Sequence, residues 1–293
     1  MVELPHFDMG EVIPGVIHQV FISDAPLPVE LVANIEEISR VNKGWEHRLY
    51  GRDDVAPIIL KYYGPEVLKV YSRINPRYGA ARADLFRYLL MYAEGGFYLD
   101  VKSATTRPIA ALLTADDRLV LSQWPNEDGE KYAGWGIHPE LESIKGGELQ
   151  QWHIIAVSGH PFLRAVIERV IHNIEHYNIR AQGVGRDSVL RVTGPIAYTL
   201  AIDGIKDQHP HKVVNILEDF GVVYSIYEAP GRNRSHQDVF KTRHYAGLKS
   251  PLVKPSSIRD LCRMAIFYAG LTVFYLKKYV PIMMQRIFSG KQA

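Results

Sequence analysis

The sequence predicts an α/β layered fold built on a largely parallel sheet, and three observations carry that prediction. Short apolar runs rich in β-branched residues alternate with longer segments of helical periodicity, the pattern of strand–helix–strand units. The chain has 293 residues, 47% of them hydrophobic and 23% charged, so it can bury a large core without covalent staples. A single cysteine, Cys262, closes no internal disulfide and fits a reducing compartment.

The elements follow in order. Val12 to Phe21 reads as a buried strand, bounded by a Pro-containing loop from Asp24 to Pro28. From Val29 to Val41, Leu31, Val32, Ile35 and Ile38 recur at helical spacing, with Pro28 just before the first turn. Glu46 to Tyr50 suits a short strand, and Val55 to Arg73 one or two helices interrupted at Gly64-Pro65. Ala80 to Ala93 is a helix with Ala83, Phe86, Leu90 and Ala93 in one apolar stripe, stopped by Gly95-Gly96. Phe97 to Leu99 is a buried strand that ends at Asp100. Leu119–Ser122 and His153–Ser158 are further strands, Phe162–Tyr177 and Pro195–Ile202 further helices, and Val213–Ile216 and Val222–Ile226 late strands.

Ligands of such folds sit beyond the C-terminal ends of the strands, the position that Asp100 takes. The segment RADLFRYLLMYAEGGFYLDVK, Arg82 to Lys102, concentrates the chemistry. Asp84 and Arg87 are three apart and share a helix face. Residues two apart in an extended chain point the same way, so Asp100 and Lys102 are expected to face one site. On spacing alone, a helix–strand junction with a solvated Asp and an intrahelical ion pair accounts for these residues equally well.

RADLFRYLLMYAEGGFYLD resembles the donor-site segment of glycosyltransferase family 32, the group of yeast initiating mannosyltransferases, inositol-phosphoceramide mannosyltransferases and bacterial capsular enzymes; it is also similar to the large clostridial glucosylating toxins. IPGVIHQVF resembles the family's opening strand, QWHIIAVSGHPFL its middle segment and VTGP a later turn, so the likeness runs from Ile13 to His244. The resemblance implies a GT-A-type nucleotide-binding fold, α/β with a mostly parallel mixed sheet flanked by helices. It implies a retaining transfer of a hexose from a UDP- or GDP-sugar donor to a glycan or lipid-linked acceptor, as in polysaccharide biosynthesis. It places Phe21 against the nucleotide base, Asp84 and Arg87 at hydroxyls of the donor sugar or ribose, and Asp100 at the first Asp of the D-x-D motif. His18, Gln19 and Tyr98, on the flanking strands, fall at the same donor site, and Asp100, Lys102 and Arg87 are its catalytic candidates.

The departures are informative. Lys102 stands where the family has its second D-x-D carboxylate, the principal ligand of a divalent cation, Mn²⁺ or Mg²⁺. An ammonium offers no oxygen to a hard cation and repels it. Three outcomes stay open. Lys102 itself offsets the leaving-group charge; Asp100 with a distant ligand holds a metal weakly; or donor chemistry is lost and the chain is a non-catalytic sugar- or nucleotide-binding protein. The family's late His-rich loop has its nearest match in RHYAGLKS, so Arg243, His244 and Lys249 are the phosphate candidates.

The formal net charge of +2 excludes a strongly basic nucleic-acid binder, but it is unevenly spread. From Lys249 onward there are eight Lys/Arg against one Asp, a charge of +7, so the preceding 248 residues carry −5. The sequence therefore divides into a transferase domain over 1–248 and a basic, apolar, amphipathic helical tail over 249–293. Leu261–Leu276 is too short and interrupted to span a bilayer but suits a helix lying in its interface, giving peripheral membrane contact through 255–293. Packing of that helix on the core, with its cations reaching out to water, is the other reading. Met1 to Met9 contains Glu3 and Asp8 and no apolar run, so no secretory leader is expected and the location read from sequence is the cytoplasmic face of a membrane. His172, Glu175 and His176 match H-x-x-E-H, a zinc-protease pattern with no third ligand in view. Trp124, Trp135 and Trp152 are candidates for an acceptor platform or, singly, for core packing.

Overall fold

In a computed structural model, residues 2–23, 25–228, 245–270 and 272 are described. Eight strands and seven helices have defined bounds in chain order: β1 (Val16–Val20), α1 (Val29–Val41), β2 (Glu46–Tyr50), α2 (Arg52–Arg73), α3 (Gly79–Glu94), β3 (Gly96–Leu99), β4 (Ala104–Thr105), β5 (Leu119–Leu121), β6 (His153–Ala156), α4 (Pro161–Glu175), α5 (Ile179–Gln182), α6 (Gly185–Val192), α7 (Pro195–Asp203), β7 (Lys212–Val213) and β8 (Val222–Val223). Residues 258–270 are also helical.

The main sheet has the order β2-β1-β3-β6-β5-β7. β1 is parallel to β2 and β3, and β5 is parallel to β7, while β6 runs antiparallel between β3 and β5. This is the mostly parallel mixed sheet flanked by helices that the family resemblance implies, and it agrees with the largely parallel sheet that the alternating pattern predicts. A two-stranded ribbon, β4 with β8, stands beyond the end of β3. Alternation along β3 sets the two layers. Tyr98 faces the core built with α2, α3 and α4, whereas Phe97 and Leu99 face a second core with Trp124, Trp152 and Ile216.

The helix predicted over Ala80–Ala93 is present but is not a one-stripe surface helix. Every residue from Asp84 to Tyr92 in α3 is buried, because α2, α4 and α6 pack on it as well as the sheet. Its polar residues must therefore find partners inside the protein. α2 is a single run with a break at Gly64 (φ 74°), where Gly64-Pro65 interrupts the pattern. The ribbon strand β4 and the short helices α5 and α6 escaped sequence reading: they span so few residues that no periodicity develops. The late strand expected at Val213–Ile216 is Lys212–Val213, and that expected at Val222–Ile226 stops at Val223.

The turn from α3 into β3 is fixed by sterics. Gly95 has φ 68°, and a Cβ there would lie 2.5 Å from Ser158 N and 2.9 Å from Ala156 O. His18 of β1 clamps the same turn. Its Nε2 donates to Gly95 O at 3.0 Å and its Nδ1 accepts from the Tyr50 hydroxyl at 2.9 Å. Burial holds this imidazole neutral, with its pKa lowered to about 4. The packed body extends past residue 248. Leu252 and Val253 are core residues, Val253 bridges to Ile74, and Lys254 N donates to Arg73 O. The sequence-based boundary at 248/249 therefore falls inside the body, and the helix at 258–270 lies beyond it.

Gly95→Ala should cost at least ~2 kcal/mol through the left-handed backbone and the collision with Ser158. Urea denaturation should show a lowered midpoint with an unchanged slope. Acidification tests the buried histidines. His18 and His160 titrate in the folded state at about 4 and His153 at about 3, all lowered by burial from 6.5. Below pH 6.5 the unfolded chain takes up protons that the folded chain refuses. Stability present above 6.5 should therefore fall as pH drops from 6.5 toward 4, by about 1.4 kcal/mol per pH unit for each such histidine. His160→Asn keeps an acceptor at the start of α4 and should flatten that slope in denaturation midpoints measured between pH 7.5 and 5.

Candidate active site

The site forms where the C-terminal end of β3 meets α3. Arg87 lies at its centre, with its side chain 6% exposed. Its Nη2 is 3.1 Å from Asp84 Oδ1, and its Nη1 is 3.0 Å from Asp100 Oδ1. Nη1 also donates to Gln151 O at 2.9 Å, and the guanidinium carbon sits 4.6 Å from the centre of the Tyr98 ring. The Tyr98 hydroxyl donates to Asp100 Oδ1 at 2.8 Å. Burial disfavours the Arg87 charge, but Tyr98, Asp100 and Asp84 outweigh it and hold the guanidinium protonated. Burial pushes the Asp84 carboxyl up, while Arg87 and the Thr193 hydroxyl, 2.9 Å from Oδ2, pull it back.

The expected residues divide into three groups. Asp84, Arg87, Tyr98 and Asp100 come together in one cluster. Asp84 lies beneath it, satisfied by Arg87, Thr193 and Gln151; Asp100, 22% exposed at its side chain, is the more open end. Gln19 supports Asp100 from β1, donating to Asp100 O at 3.3 Å while its own carbonyl oxygen meets His47 Nε2 at 2.9 Å. Phe21 is half-buried against Leu31, Val101 and Tyr227, beside the turn that follows Asp100. His18 is a correction to its donor-binding assignment. The pleat turns it toward Tyr50 and Gly95, which occupy both of its nitrogens, so it supports the turn behind the site. Lys249 stands on the segment that Tyr78 and Asn75 tie down through Ser250 O and Pro251 O. Arg243 and His244 lie outside the described residues.

Strand alternation does not carry Lys102 to the side of Asp100, as the sequence predicted. β3 ends at Leu99, and Ser103 N donates to Asp100 O at 2.8 Å, closing a turn over Asp100–Ser103. Asn34 of α1 braces this turn through Ser103 O at 2.8 Å. The turn sends Asp100 to Arg87 and Lys102 the other way, its Nζ 2.8 Å from the Tyr224 hydroxyl and 4.0 Å from the centre of that ring.

Three partners went unrecognised individually, although the sequence carried signals for two. Gln151 belongs to QWHIIAVSGHPFL and Thr193 to VTGP, so both landmark motifs supply hydrogen bonds to Asp84. Tyr224 had no motif to mark it.

A divalent cation does not fit the residues described here. Asp100 Oδ1 is already engaged by Arg87 and Tyr98, an ammonium stands at the second D-x-D position, and no group of three His, Cys, Asp or Glu side chains is placed to hold a metal among the described residues. His172 and His176 stack 4.2 Å apart at the exposed end of α4. No third ligand stands beside them among the described residues.

Residues 28–120 match the family model described as a glycosyltransferase sugar-binding region containing a DXD motif. The putative glycosyltransferase HOC1 of Saccharomyces cerevisiae is 27% identical over 173 residues, covering 56% of this chain and 41% of that protein. The initiation-specific alpha-1,6-mannosyltransferase of Candida albicans is 29% identical over 115 residues, covering 36% of this chain and 28% of that protein. This chain thus matches less than half the length of either relative. Among solved structures, the PaToxG glycosyltransferase superposes with a TM-score of 0.48 at 14% identity, over 68% of this chain and 71% of that one. The matched region encloses Asp84, Arg87 and Asp100, and the relatives are named glycosyltransferases and mannosyltransferases: the chain is similar over this region to the glycosyltransferases of family 32, and both comparisons support that reading.

Proposed function

We propose that the protein is a retaining glycosyltransferase that moves a hexose from a UDP- or GDP-sugar to a glycan or lipid-linked acceptor. The observation that carries this reading is the Asp84–Arg87–Asp100 ion cluster at the end of β3, inside the matched sugar-binding region. In this reading Asp100 meets the donor at the open end of the cluster, while Asp84, Arg87, Tyr98 and Gln19 fix its position from behind. Phe21 flanks the turn as the surface for the base. Retention rests on the family: the acceptor attacks on the face from which the nucleotide leaves, and the departing phosphate oxygen takes the acceptor's proton. No side-chain base is assigned.

Departure of a nucleoside diphosphate is helped chiefly by positive charge placed where negative charge develops. Asp84, Arg87, Asp100 and Lys102 are together neutral. With a carboxylate in place of Lys102 the same set would stand at −2, the charge that a divalent ion would cancel. Lys102 thus supplies in this chain the positive charge that a metal would bring, oriented by Tyr224. A non-catalytic binding protein is the second reading, favoured by the same Lys102.

The helix at 258–270 supports membrane contact. Its half-buried residues, among them Asp260, Arg263, Met264 and Tyr268, turn inward, and Tyr268 donates to Lys249 O at 2.8 Å. Ile258, Leu261 and Ile266 are 80%, 54% and 54% exposed, so apolar side chains face outward from a basic segment. No described helix is long and apolar enough to cross a membrane. The tail suits peripheral attachment to an anionic surface, each cation near it contributing about 1 kcal/mol. On this reading the enzyme works at the cytoplasmic face.

Purified protein should hydrolyse at least one member of a panel of UDP- and GDP-hexoses, and should do so in EDTA. Asp100→Asn should lower that rate about 100-fold or more with little change in melting temperature. If no donor is bound or turned over, the transferase reading fails; binding without turnover establishes the second reading; strict dependence on Mn²⁺ would overturn the role of Lys102. In liposome flotation, full-length protein should rise with anionic vesicles and a truncation after Pro255 should not. Equal behaviour of the two would remove the membrane proposal.

A further inference from the structure

Beside Lys102 lies a group of aromatic rings that the donor site does not use. Trp124 packs against Tyr132, Trp135, Tyr224 and Trp152 with ring centres 4.8, 5.1, 5.0 and 6.1 Å away. Four of the five are buried or half-buried, but Trp135 is 45% exposed. Its exposure does not come from a loose backbone. Trp135 N donates to Tyr132 O at 2.8 Å, and Asn126 Nδ2 donates to Trp135 O at 2.6 Å. The next residue, Gly136, has φ 73°, and a Cβ there would lie 2.7 Å from Glu148 Cγ and 2.8 Å from Trp124 Cδ1. Only glycine lets the chain pass so close behind the indole. The ring below is locked as well: Trp124 Nε1 donates to Glu148 Oε1 at 2.7 Å, and the other Glu148 oxygen meets His138 Nε2 at 2.8 Å. A large apolar ring held rigidly at the surface is preorganised for a ligand.

The place of this ring narrows what the ligand is. Trp135 lies 6.0 Å from Tyr224, ring centre to ring centre, and Tyr224 holds Lys102. Accessible groups therefore run in contact from the donor end of the site to the exposed indole. Polar groups rim the aromatic cluster: the Tyr132 hydroxyl donates to Glu228 Oε2 at 3.0 Å, and Lys131 Nζ is 3.8 Å from the same oxygen. A flat apolar ring with a few hydrogen-bonding groups at its edge matches a pyranose, which presents a C–H face surrounded by hydroxyls.

We propose that Trp135, backed by Trp124 and Tyr224 and rimmed by Lys131 and Glu228, is the floor of a binding site for a pyranose ring of the acceptor. The assignment to the acceptor rests on the transferase reading above; the binding of a sugar ring at Trp135 does not.

Saturation-transfer NMR tests it directly with the methyl α-pyranosides of mannose, glucose and galactose, and with uridine and guanosine as competing flat ligands. Ring protons of at least one glycoside should be saturated by the wild-type protein. That signal should fall about tenfold in Trp135→Ala and largely survive in Trp135→Phe, as expected when one aromatic anchor dominates a small site. No signal from any glycoside, or an equal signal in Trp135→Ala, overturns the proposal. A nucleoside signal that is lost in Trp135→Ala while the glycosides give none would make this a base-stacking surface and overturn it too. Donor hydrolysis by the wild-type protein, measured in parallel, shows separately whether the transferase reading stands.

Discussion

The guanidinium of Arg87 is the tie on which the site depends. It joins α3 to the end of β3 by bridging Asp84, on its own helix, to Asp100, on the strand. Burying three charges is unfavourable unless each is compensated, and here Gln151, Thr193 and Tyr98 complete the set. Loss of the guanidinium would leave two carboxylates facing each other with little access to water. A cluster of this kind contributes little net stability; its value is a single permitted geometry, which a binding site requires.

That geometry has a cause one step further back. α3 is buried from Asp84 to Tyr92, so Asp84 and Arg87 have little solvent to turn to. The tight Gly95 turn brings β3 back beside the same helix, and His18 and Tyr50 fasten the turn from β1 and β2. Asp100 is the first residue after β3, and the turn over Asp100–Ser103 separates it from Lys102. Two residues of one short motif thus find different partners: the carboxylate completes the cluster with Arg87, and the ammonium rests on Tyr224 beside the aromatic group.

The sequence was most legible where its signals are local. The bounds of α1 and β2 follow from the spacing of apolar residues and from Pro28, and the glycine pair marks the α3–β3 turn. The family likeness singled out Asp84, Arg87 and Asp100, and the fold does bring these three together. Local signals failed for His18, because a motif marks proximity along the chain while the pleat decides which way a side chain points. They failed for Lys102 because alternation holds only while the strand continues.

By itself, then, the sequence determined the α/β class, the longer elements and their order, the likeness to a glycosyltransferase family and the residues that carry charge at the site, all of which are written in periodicity, turn residues and short motifs. The tertiary structure decided which partners those charges find. Gln151 and Thr193 reach Asp84 from 67 and 109 residues away. Tyr224 reaches Lys102 from 122 residues away, and a rigid exposed Trp135 stands next to it. Such meetings depend on how the ribbon β4–β8 and the helices around α3 close over the sheet, a long-range packing outcome to which no local spacing in the chain responds.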